Sequence, residues 1–128
     1  MADGETKQVI LVGEDDKFLS NVYKTKLAKE GFQVEHGMDG KEVLRLALEK
    51  KPDLILLDLI MPVMDGFETL AGLKANPETK DIKVVILSNL SQEEDMKKVM
   101  ALGAVEYVVK ANVSFKEVIE CAKKHLAS

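Results

Sequence analysis

Leu54-Ile55-Leu56-Leu57-Asp58, continued by Leu59-Ile60-Met61-Pro62-Val63-Met64-Asp65-Gly66, decides how the rest of the chain is read. An unbroken apolar run of this length reads as a strand buried on both faces. A carboxylate is expensive to desolvate without a partner. The place that tolerates Asp58 is the strand's C-terminal end, where an α/β sheet opens into a crevice. Pro62 cannot continue the strand, and Asp65-Gly66 is a turn signal.

Three more apolar runs share this character: Val9-Ile10-Leu11-Val12, Val84-Val85-Ile86-Leu87 and Tyr107-Val108-Val109. A weaker, alternating run, Gln33-Val34-Glu35-His36, reads as an edge strand. Helical faces lie between them: Leu19, Val22, Tyr23 and Leu27; Val43, Leu44, Ala47 and Leu48; Val118, Ile119, Ala122 and Leu126. Ser91-Gln92-Glu93-Glu94 and Ser114-Phe115-Lys116-Glu117 have capping-box form, and Asp39 to Glu42 is a similar acidic start. Asp16 reads as the cap of the first helix. Gly31 and Gly103 sit where helix C-caps belong, and Asn76-Pro77-Glu78-Thr79 ends a helix that begins near Gly66. Five strands thus alternate with five helices. Strands this apolar need helices on both faces, which predicts an α/β fold with a doubly wound parallel sheet.

The chain has 128 residues, 46% apolar and 31% charged, with a net charge of -4. That fits one globular domain over residues 1–128, led by a flexible polar segment at 1–7. The acidic balance argues against direct binding to nucleic acid. No apolar run approaches a membrane span, and no signal peptide is legible. Cys121 stands alone, so neither a disulfide framework nor a cysteine metal site is expected, and it reads as a small core or boundary residue. All this fits the cytoplasm.

Each buried strand delivers polar groups where it ends: Glu14, Asp15 and Asp16 after the first, Asp58 after the third, Ser88 after the fourth, Lys110 after the fifth. In a parallel sheet those ends share one edge, so the groups converge. Two carboxylates about 4 Å apart repel by roughly 4 kcal/mol at an effective dielectric near 20, and one lysine offsets only part of this. A hard divalent cation, Mg²⁺, answers the surplus and also accepts phosphate oxygens. The charges therefore suggest Mg²⁺-dependent phosphoryl chemistry with a carboxylate nucleophile. Ser88 and Lys110 are placed to meet phosphoryl oxygens.

Over nearly its whole length the chain resembles the receiver domains of two-component response regulators. The carriers are Glu14-Asp15, the segment Asp58 to Gly66, Ser88, and Tyr107-Val108-Val109-Lys110, in that order and each after a buried strand. The resemblance implies a flavodoxin-like fold with strand order 2-1-3-4-5. It also implies phosphorylation of Asp58 by a histidine kinase or phosphotransfer protein. Asp15 would bind Mg²⁺ directly, Glu14 through water, and Asp58 and the Ile60 carbonyl would complete the protein ligands. Ser88 and Lys110 would meet the phosphoryl group, and Ser88 with Tyr107 would form the switch. The fourth helix, fifth strand and fifth helix would then present a changed surface to a downstream protein, the chain being monomeric or weakly dimeric. A signalling switch is implied rather than a turnover enzyme.

Three departures from the family pattern stand out. Asn89 replaces a usual small residue. Ala111 replaces a usual proline with a cis peptide, and a cis bond before alanine would cost about 2.5–4 kcal/mol, so a trans bond is expected. Ile60 and Leu90 place apolar side chains beside the acceptor and the hydroxyl.

Plainer readings stand beside these. Asp58 could be a structural acid paired with Lys110. Asp15 could complement a helix dipole, Ser88 could merely end a strand, and Tyr107 could be an ordinary half-buried aromatic. His36 and His125 read as solvent-facing, Met61 and Met64 as packing and turn residues, and Lys97-Lys98 and Lys123-Lys124 as solvated helix faces. A haloacid-dehalogenase-type phosphatase would need an acid where Ile60 stands. A receiver-like interaction module that works without phosphorylation, or the receiver piece of a longer regulator, are the remaining alternatives.

Overall fold

The structure, a computed structural model, describes residues 7–127. All but Lys7 of the segment expected to be flexible lies outside the described residues. The strands are β1 (Val9–Gly13), β2 (Gln33–Gly37), β3 (Leu54–Leu57), β4 (Lys83–Ser88) and β5 (Glu106–Val109). The helices are α1 (Lys17–Lys29), α2 (Gly40–Lys50), α3 (Gly66–Ala75), α4 (Glu93–Ala101) and α5 (Phe115–Ala127). All strand pairs are parallel, in the order β2-β1-β3-β4-β5, as expected.

Alternation along each strand divides the apolar residues between two layers. Leu11, Ile55, Leu57, Val84 and Ile86 pack with Val43, Leu46, Leu70, Leu73 and Val99 from α2, α3 and α4. Ile10, Val12, Leu54, Leu56, Val85 and Leu87 pack with Tyr23, Leu27, Val118 and Ala122 from α1 and α5. Consecutive residues of β3 thus serve opposite faces, which is why that run shows no polar alternation. β2 forms one edge and carries the alternating sequence that edge exposure permits.

Most helix ends match their sequence signals. Asp16, Asp39 and Asp65 cap α1, α2 and α3 through side-chain bonds to the amides of Leu19, Glu42 and Glu68. Ser114 and Glu117 form the reciprocal pair at the start of α5. Gly31 and Gly103 have φ of 97° and 110°, the left-handed geometry glycine adopts freely. Three expectations are corrected. α4 begins at Glu93 with Gln92 as its cap and no side-chain cap bond, so the Ser91 box does not form. On α2 the buried position is Leu46, while Leu48 is 41% exposed. Leu46 is one residue off the expected face, yet it widens a stripe that must cover two neighbouring strands.

The two histidines are not solvent-facing side chains: both are half-buried and bonded. His36 Nε2 lies 2.7 Å from the Glu14 carbonyl. His125 Nε2 lies 2.7 Å from Glu106 Oε1, and Lys124 Nζ lies 2.9 Å from the same oxygen. Glu106 thereby ties β5 to the last turns of α5. Cys121 is half-buried nearby, its thiol pushed up to about 11 by burial and by the Glu106 carboxylate. Ligand atoms of Glu106, Cys121 and His125 lie within 4.8 Å of one another, a grouping that the expectation of no cysteine metal site did not foresee. Lys124 and His125 already occupy the carboxylate, and the group reads as an anchor for α5.

Bonds from Lys124 and His125 hold the Glu106 carboxyl below its ordinary 4.5. Its stabilisation is therefore present above pH 4.5 and fades as pH falls through the lowered value. Glu106→Gln is expected to lower the thermal midpoint at pH 7 by about 2–5 °C. That deficit should close on acidification. Thermal melts at pH 7 and pH 3 check this, and a deficit that does not change with pH would contradict the role given to Glu106.

Candidate functional site

Parallel strands bring their C-terminal ends to one edge, and there the acids meet. The backbone fixes them first. Glu14 N–H donates to the Gly37 carbonyl at 3.1 Å, and Asp58 N–H donates to the Gly13 carbonyl at 3.0 Å. Both side chains are buried, Glu14 at 2% and Asp58 at 6% exposure, whereas Asp15 faces solvent. Oxygens of Glu14, Asp15 and Asp58 lie within 4.8 Å of one another.

Lys110 reaches across the edge from the end of β5. Its Nζ lies 2.5 Å from Glu14 Oε1 and 2.8 Å from Asp58 Oδ2. Asp58 Oδ1 accepts from the Ile60 amide at 3.2 Å, and Glu14 Oε2 accepts from the Asp16 amide at 3.1 Å. Burial works to lower the lysine's pKa, but the bonds to Asp58 and Glu14 outweigh it and the net shift is upward. Burial pushes Glu14 up, against the lowering effect of its bonds to Lys110 and Asp16. Three carboxylates thus face one firmly charged ammonium. All three are hard oxygen donors, and exposed Asp15 leaves room for water, so the set fits Mg²⁺, which keeps several waters and favours few carboxylates.

Ser88 is wholly buried at the end of β4, and its Oγ accepts from the Leu90 amide at 3.4 Å. Tyr107 O–H donates to the Leu90 carbonyl at 2.5 Å. The hydroxyl and the aromatic ring thus share the β4–α4 loop. The β3–α3 loop is held under strain. Met64 N–H bonds the Pro62 carbonyl at 2.7 Å across Val63, whose φ is 69°. That is a γ-turn of the rare positive-φ kind, unusual for a β-branched residue.

The structure brings together Glu14, Asp15, Asp58 and Lys110, and places Ser88 and Tyr107 on a shared loop. The pairing of Asp58 with Lys110 holds alongside the convergence. Asp16 departs from the acidic set to cap α1. Sequence reading missed three features: the His36 contact with the Glu14 backbone, the close approach of Gly66 to Asp58, and a bond from the Ala111 amide to Asn89 Oδ1 at 2.9 Å. The second left a trace in the Asp65-Gly66 turn signal, and the third in the two departures at Asn89 and Ala111; the first left none. The described residues contain no cis peptide, so the Lys110–Ala111 bond is trans, as expected.

Comparison with known proteins agrees with this geometry. Residues 10–122 match the response regulator receiver domain, and the chain belongs to that family. It is 37% identical over 110 residues to the transcriptional regulatory protein PrrA of Mycobacterium tuberculosis, covering 86% of this chain and 46% of that protein. It is 36% identical over 101 residues to the DNA-binding dual master transcriptional regulator RpaA of Synechocystis, covering 79% of this chain and 42% of that protein. The chain therefore spans less than half the length of these relatives. Among solved structures, the receiver domain of the Francisella response regulator 1452 superposes with a TM-score of 0.86 at 30% identity, covering 94% of this chain and 98% of that one. The phosphorylated cyanobacterial phytochrome response regulator RcpA superposes with a TM-score of 0.79 at 30% identity, covering 93% and 91%. Receiver domains act as signalling switches and generally bind Mg²⁺ at the acidic pocket. No helix among the described residues is long and apolar enough to cross a membrane.

Proposed function

We propose that Asp58 accepts a phosphoryl group from a phosphohistidine on a kinase or phosphotransfer protein. The carrying observation is a buried Asp58 bonded to Lys110, with oxygens of Glu14 and Asp15 within 4.8 Å. An Asp58 carboxylate oxygen forms a bond to phosphorus while the phosphorus–nitrogen bond of the donor breaks, its electron pair staying on the imidazole. Mg²⁺, when bound, supplies charge neutralisation for the phosphoryl oxygens. Asp15, Asp58 and the Ile60 carbonyl would hold it, with Glu14 acting through water. Lys110 and Ser88 meet phosphoryl oxygens. Movement of Ser88 frees Tyr107 from the Leu90 carbonyl, and the surface of α4, β5 and α5 changes for a downstream protein. Such a switch is a two-state equilibrium biased by a few contacts. Exposed Phe18, Ile60 and Val63 lie on segments at this sheet edge and suit the docking of a protein phosphodonor. The working compartment is the cytoplasm, the partners are proteins rather than DNA, and the chain is monomeric or weakly dimeric.

Acetyl phosphate with Mg²⁺ is expected to give one phosphoryl adduct by intact-mass spectrometry, and Asp58→Asn to give none. No adduct on the parent chain, or an adduct that survives Asp58→Asn, overturns the reading. An interaction module independent of phosphorylation is less favoured, because the acceptor, the acids and the lysine are all present together.

A further inference from the structure

The β4–β5 ladder ends at the pair Ser88–Val109. One step further, a side chain replaces the backbone rung: Asn89 Oδ1 accepts from the Ala111 amide at 2.9 Å. The two joined residues each follow a residue of the site, Ser88 on one side and Lys110 on the other. Lys110 opens a short 3-10 turn over Lys110–Asn112. The turn's own closure is long, with Val113 N–H 3.4 Å from the Lys110 carbonyl. Packing supports it at one end only: Val113 packs against the core, while Ala111 and Asn112 are exposed. A cleft of about 370 Å³ opens beside it, lined in part by Leu19, Tyr23, Asn89, Lys110 and Phe115. The Asn89 bond therefore restrains the exposed side of this turn, beside the ladder that ends at Val109 and the Lys110 bonds to Glu14 and Asp58.

We propose that Asn89 is a positioning residue for Lys110. Its carboxamide extends the β4–β5 ladder by one rung and fixes the turn from which Lys110 reaches Asp58. It also makes the Ser88 and Lys110 ends of the site move as one unit. The proposal rests on Asp58 being the acceptor and Lys110 facing the phosphoryl group, but the bond can be tested without either.

The test is a cycle of Asn89→Ala, Ala111→Pro and the double variant, because proline removes the N–H that Asn89 accepts from. Adduct formation with acetyl phosphate is expected to slow about three- to tenfold in Asn89→Ala, the size of one net hydrogen bond. Mg²⁺ affinity should not fall, because Lys110 is not a metal ligand. Adding Asn89→Ala to Ala111→Pro should change the rate by less than about twofold. Backbone amide exchange by NMR supplies a readout that needs no phosphorylation: the Ala111 amide should lose protection in Asn89→Ala. A parental rate in Asn89→Ala, an equal slowing in both backgrounds, a matching fall in Mg²⁺ affinity, or unchanged Ala111 exchange each overturns the proposal. If the parent chain takes no phosphoryl group at all, the acceptor reading falls instead, and the Ala111 exchange alone decides whether Asn89 holds the turn.

Discussion

Lys110→Ala is expected to destabilise the Mg²⁺-free protein by about 3–5 kcal/mol, a large part of the roughly 5–15 kcal/mol that holds such a domain together. Lys110 bonds Glu14 and Asp58, whose side chains are only 3% and 8% exposed. Deleting the ammonium leaves two buried carboxylates facing each other with only backbone amides for partners. Two conditions should restore stability. The first is acid. Burial already pushes the Glu14 carboxyl up, and losing the lysine removes the bond that pulled it down. A carboxyl whose folded pKa is raised stabilises below its unfolded value of 4.5 and loses that contribution as pH rises through the folded value. The gap between parent and variant should therefore narrow as pH falls from 7 toward 4.5. The second is Mg²⁺: bound at the acidic cluster as proposed, it would offset the same negative charge, so the variant should gain more from the cation than the parent does. Chemical denaturation at pH 7 and pH 5, with and without Mg²⁺, measures both. A Lys110→Ala chain that matches the parent under all four conditions would remove the electrostatic account of the site. Phosphorylation should fall sharply even where Mg²⁺ restores the fold, because the cation does not replace the ammonium facing Asp58.

Much of this site was legible because its chemistry sits at strand ends, and strand ends are what apolar runs mark best. Leu54 to Leu57 located Asp58, and the runs before Glu14, Ser88 and Lys110 did the same for those residues. Periodicity left the strand order open, since parallel strands of similar composition carry no label for their neighbours. The order came from family resemblance, and the observed ladders agree. The misreadings share a cause. Helical spacing puts Leu48 on the buried face, but the width of the buried stripe depends on how α2 lies across the sheet. His36 and His125 read as solvent-facing because an isolated histidine gives no sign of a partner distant in sequence; theirs are 22 and 19 residues away. Asn89 and Ala111 were each visible as departures. That they compensate one another depends on the β4–β5 register, which places the amide of one beside the carboxamide of the other.

Gly66→Ala is expected to cost at least about 3 kcal/mol, at or beyond the upper range for overpacking, and to lower the thermal midpoint by roughly 10 °C or more. A methyl group at residue 66 would overlap the Asp58 carbonyl oxygen and lie 2.5 Å from Leu59 Cα and 3.0 Å from the Asp58 carbonyl carbon. All three obstacles are backbone, so no side-chain rotation relieves them. The backbone there is also pinned, because Gly66 N–H donates to the Leu59 carbonyl at 2.9 Å. Either α3 must pull away, disturbing the Asp65 cap on Glu68, or the β3 end must move and take Asp58 with it. Adduct formation should therefore fall together with stability. The control lies on the same helix. At Gly72 an added methyl meets only the Leu44 side chain, at 3.3 Å, and that flexible chain can yield. Gly72→Ala also gains the helix preference of alanine over glycine, about 0.8–1 kcal/mol, so it should be neutral or slightly stabilising and leave phosphorylation intact. Similar melts for the two variants would show that the acceptor loop is more compliant than its backbone contacts imply. A loss confined to Gly66→Ala would show that this glycine sets how closely α3 approaches Asp58, the proposed acceptor.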